Sequence, residues 1–71
     1  MTQDWPHRQR FFTFNDTILE AVGIMPNGGR AWIASRHVES GGRMEFYDLD
    51  DIFDACVFYS EISEAAKELG K

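Results

Sequence analysis

DLDDIFDACVFYSEISEAAKELG, residues 48–70, is the stretch on which the fold turns. Plotted at about 100° per residue, Ile52, Ala55, Cys56, Tyr59, Ile62, Ala66 and Leu69 share one side, and Asp50, Asp54, Glu61, Glu64 and Glu68 share the other. Spacings of three and four are those of an amphipathic helix. Asp48 can cap its start with Asp51 three positions on, and acids in the first turn suit the helix dipole. Lys67 falls in the last turn and Gly70 is a natural terminator. One continuous helix of about 20 residues would run about 30 Å. Phe53, Val57 and Phe58 sit near or within the acidic side, where a simple amphipathic helix has no use for them. A break near Ser60, itself a candidate N-cap, would divide the segment into two shorter helices. The single phase organises most acids and apolar residues at once, so one C-terminal helix is the preferred reading.

Upstream the pattern changes to that of strands. Residues 30–38 carry Trp32, Ile33 and Val38, Glu39-Ser40-Gly41-Gly42 is a turn, and residues 43–47 return as the second arm of a hairpin. Pro26-Asn27-Gly28-Gly29 marks another turn, because Asn and Gly tolerate positive φ. Residues 17–25 read either way. Thr17 and Glu20 make a capping box for a helix, whereas three β-branched residues, Gly23 and Pro26 favour a strand, and the strand is preferred. Arg10-Phe11-Phe12-Thr13-Phe14 is rich in strand formers and precedes a tight turn at Asn15-Asp16. Residues 1–9, polar apart from a few side chains and containing Pro6, read as a loose N-terminal arm. The expected fold is α+β: a three- or four-stranded antiparallel β-meander packed by a C-terminal helix, one domain over residues 1–71.

A chain of 71 residues buries only about 60% of the surface its unfolded form exposes. A homodimer, or a partner covering an apolar face, would relieve that shortage. A content of 44% hydrophobic and 14% aromatic residues separates the chain from disordered sequences, which lack those aromatics. One cysteine, Cys56, excludes an internal disulfide and every multi-cysteine zinc pattern. No signal-peptide core and no apolar run of about 20 residues is present, so a cytoplasmic setting without membrane insertion is expected.

Charge is polarised. Residues 1–43 hold five arginines against Asp4, Asp16, Glu20 and Glu39, a net of +1. Residues 44–71 hold eight acids against Lys67 and Lys71, a net of −6, which gives the chain its −5. Such asymmetry bears on partners more than on fold.

Catalytic chemistry finds little to stand on. Nucleophilic catalysis needs a Ser, Cys or Thr beside an oriented base. The histidines are His7, in the expected arm, and His37, near a strand end; Cys56 reads as a buried structural thiol. Asp48-Leu49-Asp50-Asp51 opens like a calcium loop but lacks the glycine at position six and the glutamate at position twelve, so it reads as a helix start. Gly28-Gly29 and Gly41-Gly42 are turn pairs and fit no phosphate loop. No enzyme activity, no metal and no cofactor is expected.

Two binding faces remain. The first is the acidic ridge of Asp50, Asp54, Glu61, Glu64 and Glu68 with Phe53 and Val57 among the acids, where apolar residues on a charged surface suggest a contact patch. Carboxylates spaced along a rod suit the basic groove of a nucleic-acid-binding protein or complex. Solvation of a helix face, or cover by the N-terminal arm, explains the same residues without a partner. The second is a sheet face with Arg30, Trp32, Ala34 and Arg36, which Arg43, Glu45 and Tyr47 can join. Arginine with aromatics on an open sheet suits single-stranded nucleic acid, although cross-strand pairing accounts for it equally and a net charge of −5 argues against direct nucleic-acid binding. In size, charge and freedom from catalytic motifs the chain is similar, as a class and through no residue motif, to small acidic phage and mobile-element inhibitors, anti-CRISPR and DNA-mimic proteins among them. The resemblance implies an inhibitor or modulator of a nucleic-acid-handling complex. The alternatives are a regulatory or accessory subunit docking through apolar surface, and a single-strand-binding module.

Overall fold

A computed structural model describes residues 3–70. In chain order its elements are β1 (Gln3–Asp4), β2 (Phe11–Phe14), β3 (Thr17–Asn27), β4 (Arg30–His37), β5 (Met44–Asp48), α1 (Leu49–Ala55), β6 (Phe58–Tyr59) and α2 (Ile62–Glu68). All strand pairings are antiparallel, in the order β5-β4-β3-β2-β6, with β1 beside the far half of β3. The fold is α+β, an antiparallel sheet packed by two helices, with a four-stranded meander β2–β5 at its centre.

Turn chemistry sets that meander. Asn15 (φ 53°) and Asp16 (φ 60°) close the β2–β3 hairpin, and Gly28 (φ 62°) and Gly29 (φ 80°) close the next. Two consecutive positive φ angles give a two-residue loop whose twist matches the strands it joins. Residues 17–25 are strand, and β3 runs on through Pro26 to Asn27, two residues into the expected turn. Pro26 sits near its end, beyond the stretch that pairs β2.

Three expectations give way. Six strands form the sheet, because β1 and β6 add short pairs to the meander. The C-terminal segment is two seven-residue helices with β6 between them. Cys56 leaves the helix at φ −127°, ψ 148°, and Phe58 then stacks on Trp5 at 5.5 Å and tilts against Phe12 at 5.0 Å. Continuing the helix would take Phe58 off the core, and burying such a side chain is worth about 1.5–3 kcal/mol. The third concerns residues 1–9, of which residues 3–9 lie within the described chain and are anchored. Gln3 and Asp4 pair with Ile24 and Gly23, and Trp5 is 5% exposed, its indole N–H donating to the Gln9 carbonyl at 3.2 Å.

Trp5, Phe12, Leu19, Ala21, Ile33 and Ile52 make the core, edged by Phe14, Tyr47, Leu49 and Phe58. Ile52 brings α1 onto the sheet face that carries Phe12, Leu19 and Ile33, against β4 and β5. Cross-strand partners share a face and neighbours alternate, so Phe11, Ile18, Glu20 and Arg36 point the other way. There α2 lies against β2, β3 and β6, its Ala65 buried and its Ile62 beside Phe11 and Glu20. The helices therefore cover opposite faces at opposite ends of the sheet. Among the described residues no helix is long and apolar enough to cross a membrane.

Candidate protein-binding surface

Asp48 is the hinge between sheet and helix. Its carboxylate accepts from the Asp50 N–H at 3.0 Å, capping α1, and from Arg30 Nη1 at 2.6 Å. The Arg30 guanidinium first, then the amides of Asp51 and Asp50, hold this carboxyl below the usual range against a smaller opposing loss of solvation. Asp50, Asp51, Asp54, Glu61, Glu64 and Glu68 are all exposed, and none forms a salt bridge among the described residues.

The apolar members of the expected patch lie on α1 and just beyond it. Val57 is 67% exposed and Phe53 is 44% exposed. Phe53 rests one flank on an aromatic cluster, 5.9 Å from Trp5, 5.9 Å from His7 and 5.3 Å from Phe58. Trp5, His7, Gln9, Phe53 and Phe58 rim a hollow of about 190 Å³ there. The N-terminal segment thus covers part of Phe53 and leaves Val57 open.

The seven residues expected to form one ridge divide into two groups. Asp50, Phe53, Asp54 and Val57 belong to α1 and its exit, and Glu61, Glu64 and Glu68 belong to α2 on the opposite face. Glu68 and Glu64 lie near Tyr59, whose phenol is pushed up by lost solvation first and by these two carboxylates next. No 30 Å rod of carboxylates exists, because the helix that would carry it is interrupted at Cys56.

The arginine and aromatic face divides as well. Register pairs Trp32 with Asp48, Ala34 with Phe46 and Arg36 with Met44, so Arg30, Trp32, Ala34 and Arg36 share a face with Met44, Phe46 and Asp48. Tyr47 pairs with Ile33 on the core side, 5.0 Å from Phe14. Glu45 is also on that side, 3.2 Å from Arg43 Nε and 3.4 Å from His37 Nε2. Arg30 is bound to Asp48 and Arg36 to Glu20, which leaves that sheet face without an unengaged arginine. Arg36 and Glu20 also form part of the wall of a cleft of about 400 Å³, closed by Phe11, His37, Gly41, Gly42 and Ile62. A cleft whose arginine is already neutralised offers weak attraction for an anion.

Sequence reading missed Met44 and Phe46, and put Ile62 on the apolar side of one long helix; the three are 44%, 48% and 43% exposed. Strand alternation alone could have flagged Met44 and Phe46 as one face, given the register. The Cys56 thiol, half-buried, is pushed up by lost solvation. Among the described residues no three His, Cys, Asp or Glu side chains are placed to hold a metal ion. Comparison with protein-family models, with curated proteins and with solved structures finds no match for this chain.

Proposed function

We propose that this chain is a non-catalytic protein-binding domain that docks on a basic partner surface through the α1 patch of Asp50, Phe53, Asp54 and Val57. The observation that carries the reading is Val57, two-thirds exposed beside carboxylates that have no ionic partner among the described residues. Apolar centres ringed by charge are the usual anatomy of a contact surface. Unpaired acids steer a basic partner in and select it, while the apolar centre slows its release. Basic surfaces of this kind are carried by nucleic-acid-handling proteins, so inhibition or modulation of such a complex is the finer form of the proposal. Mimicry of a nucleic-acid backbone has less support than docking, since the carboxylates lie on two short helices rather than one rod. Association as an accessory subunit through apolar contact is the alternative supported by the same Val57.

Affinity capture from a host lysate at low and high salt, with and without nuclease, tests the proposal when run beside two variants. The expected result is a nuclease-resistant protein whose capture falls with salt and is lost in Asp50→Lys/Asp54→Lys. Capture indifferent to salt and to those charges but lost in Val57→Ala would replace steering by apolar docking. Capture abolished by nuclease would overturn both and return the function to direct nucleic-acid contact.

A further inference from the structure

Strand β5 ends the sheet, and its outer side pairs with nothing among the described residues. The other edge is finished by the two-residue strand β6. On the inner side of β5 the ladder begins where the His37 N–H donates to the Arg43 carbonyl at 2.8 Å. Backbone direction alternates along a strand, so Arg43, Glu45 and Tyr47 aim their amides and carbonyls at β4, while Met44 and Phe46 aim theirs outward. These two are also among the exposed large hydrophobic residues, and both point to the open face. A free edge bearing apolar side chains is a template for another strand, and proteins that remain monomeric usually blunt it with lysine, proline or a bulge. Residues 44–48, Met-Glu-Phe-Tyr-Asp, contain neither lysine nor proline.

We infer that β5 pairs antiparallel with β5 of a second copy of this chain, about a twofold axis centred on Phe46, to give one continuous sheet. Self-complementarity selects this occupant and this register. Centred on Phe46, the axis sets Phe46 against Phe46, Met44 against Asp48 and Glu45 against Tyr47, whose phenol can donate to the carboxylate. Moving the axis one residue back keeps the outward backbone groups paired, Met44 against Phe46, but sets Glu45 against Glu45, a destabilising like-charge pair on adjacent strands. The Phe46 pair exchanges two backbone hydrogen bonds, and each Asp48 N–H reaches the Met44 carbonyl across the axis. Strand pairing alone covers less than the roughly 800 Å² per partner of a standard interface, so the dimer is a weak, concentration-dependent one. It uses a surface separate from Phe53 and Val57, and each dimer presents two α1 patches.

Sedimentation from about 10 μM to about 1 mM, with amide hydrogen exchange at both ends of that range, tests the inference. The expected result is a mass rising from one chain toward two, with protection of the Met44 and Phe46 amides rising in step. Phe46→Lys and, separately, Met44→Lys are expected to hold the protein monomeric with an unchanged circular dichroism spectrum. A protein monomeric throughout the range overturns the inference. So does a dimer that survives both variants, or one whose protection rises elsewhere. Protection of the Phe46 amide only on adding a foreign extended peptide would assign the edge to a different partner. Because neither variant touches α1, capture of the basic partner in Phe46→Lys is expected to persist, so the two readings fail separately.

Discussion

Asp48 concentrates several duties in one side chain: last residue of β5, N-cap of α1, and acceptor for Arg30. The bond from Arg30 first, and the capping amides after it, favour the ionised form over the opposing loss of solvation, which is why the carboxyl is held below its ordinary value. A group with a lowered folded pKa adds stability that is fully present above its unfolded value of about 3.9 and is lost as pH falls through the folded one. The urea midpoint of the protein is therefore expected to drop as pH is lowered below about 4. Asp48→Asn is expected to be less stable at pH 7 and to lose part of that acid dependence, while Asp51→Asn, an exposed acid without an ion pair, changes neither by as much. Equal acid profiles for wild type and Asp48→Asn would show that other carboxylates control acid unfolding. Residue-scale chemistry of this kind was legible in the sequence. Asp48 reads as a cap because a helix start needs an acceptor for its free N–H groups. Its second partner, Arg30, lies 18 positions away and becomes visible only once β4 and β5 are in register.

At the scale of elements, the N-terminal segment behaves as core rather than as an arm. Trp5 stacks on Phe58, meets Phe53 and His7, and hands its indole N–H to Gln9. Trp5→Ala is expected to cost about 3–5 kcal/mol, as large-to-small core changes do. At roughly 0.05–0.15 kcal/mol per residue, a chain this small holds only about 4–10 kcal/mol in total, so the variant is expected to be close to unfolding. Urea titration followed by Trp32 fluorescence measures it; a change below about 0.5 kcal/mol, typical of surface sites, would mean the segment is loose after all. Nothing local announces this role, since one tryptophan beside a proline has no periodicity and its aromatic partners Phe53 and Phe58 are more than 40 residues distant. The interrupted helix was partly legible. Val57 and Phe58 stood out of phase, and that misfit was the sign of a change to extended chain, outvoted by the regularity on either side. The hairpins were legible because Asn15-Asp16, Gly28-Gly29 and Gly41-Gly42 can take the positive φ their turns require. The faces of β5 were not. A shift of one residue moves every side chain to the other face, and register here depends on the whole β4–β5 connection. Grouping Tyr47 with Trp32 was wrong for that reason, and Phe46 occupies the place assigned to it.

The whole molecule joins these features through its charge. A body of about 37 × 25 × 21 Å with net charge −5 is only a few screening lengths across, since that length is about 10 Å at 0.1 M salt. Every surface therefore acts within the field of the acids on α1 and α2. Two copies meeting along β5 bring like net charges together, and the apolar and backbone contacts of the strand must form against that repulsion. A basic partner on α1 meets attraction instead. Salt screens both, with opposite results. Raising sodium chloride from about 20 mM to about 300 mM is expected to strengthen self-association and to weaken partner capture. Sedimentation and capture carried out on the same preparations measure the pair of slopes. The contrast is diagnostic because a general effect of salt on folding would move both in one direction. Self-association that weakens with salt would place the dimer contact on opposite charges rather than on the apolar and backbone contacts of the strand. Capture that strengthens with salt would remove electrostatics from the partner interface and leave Val57 and Phe53 to hold it by apolar burial.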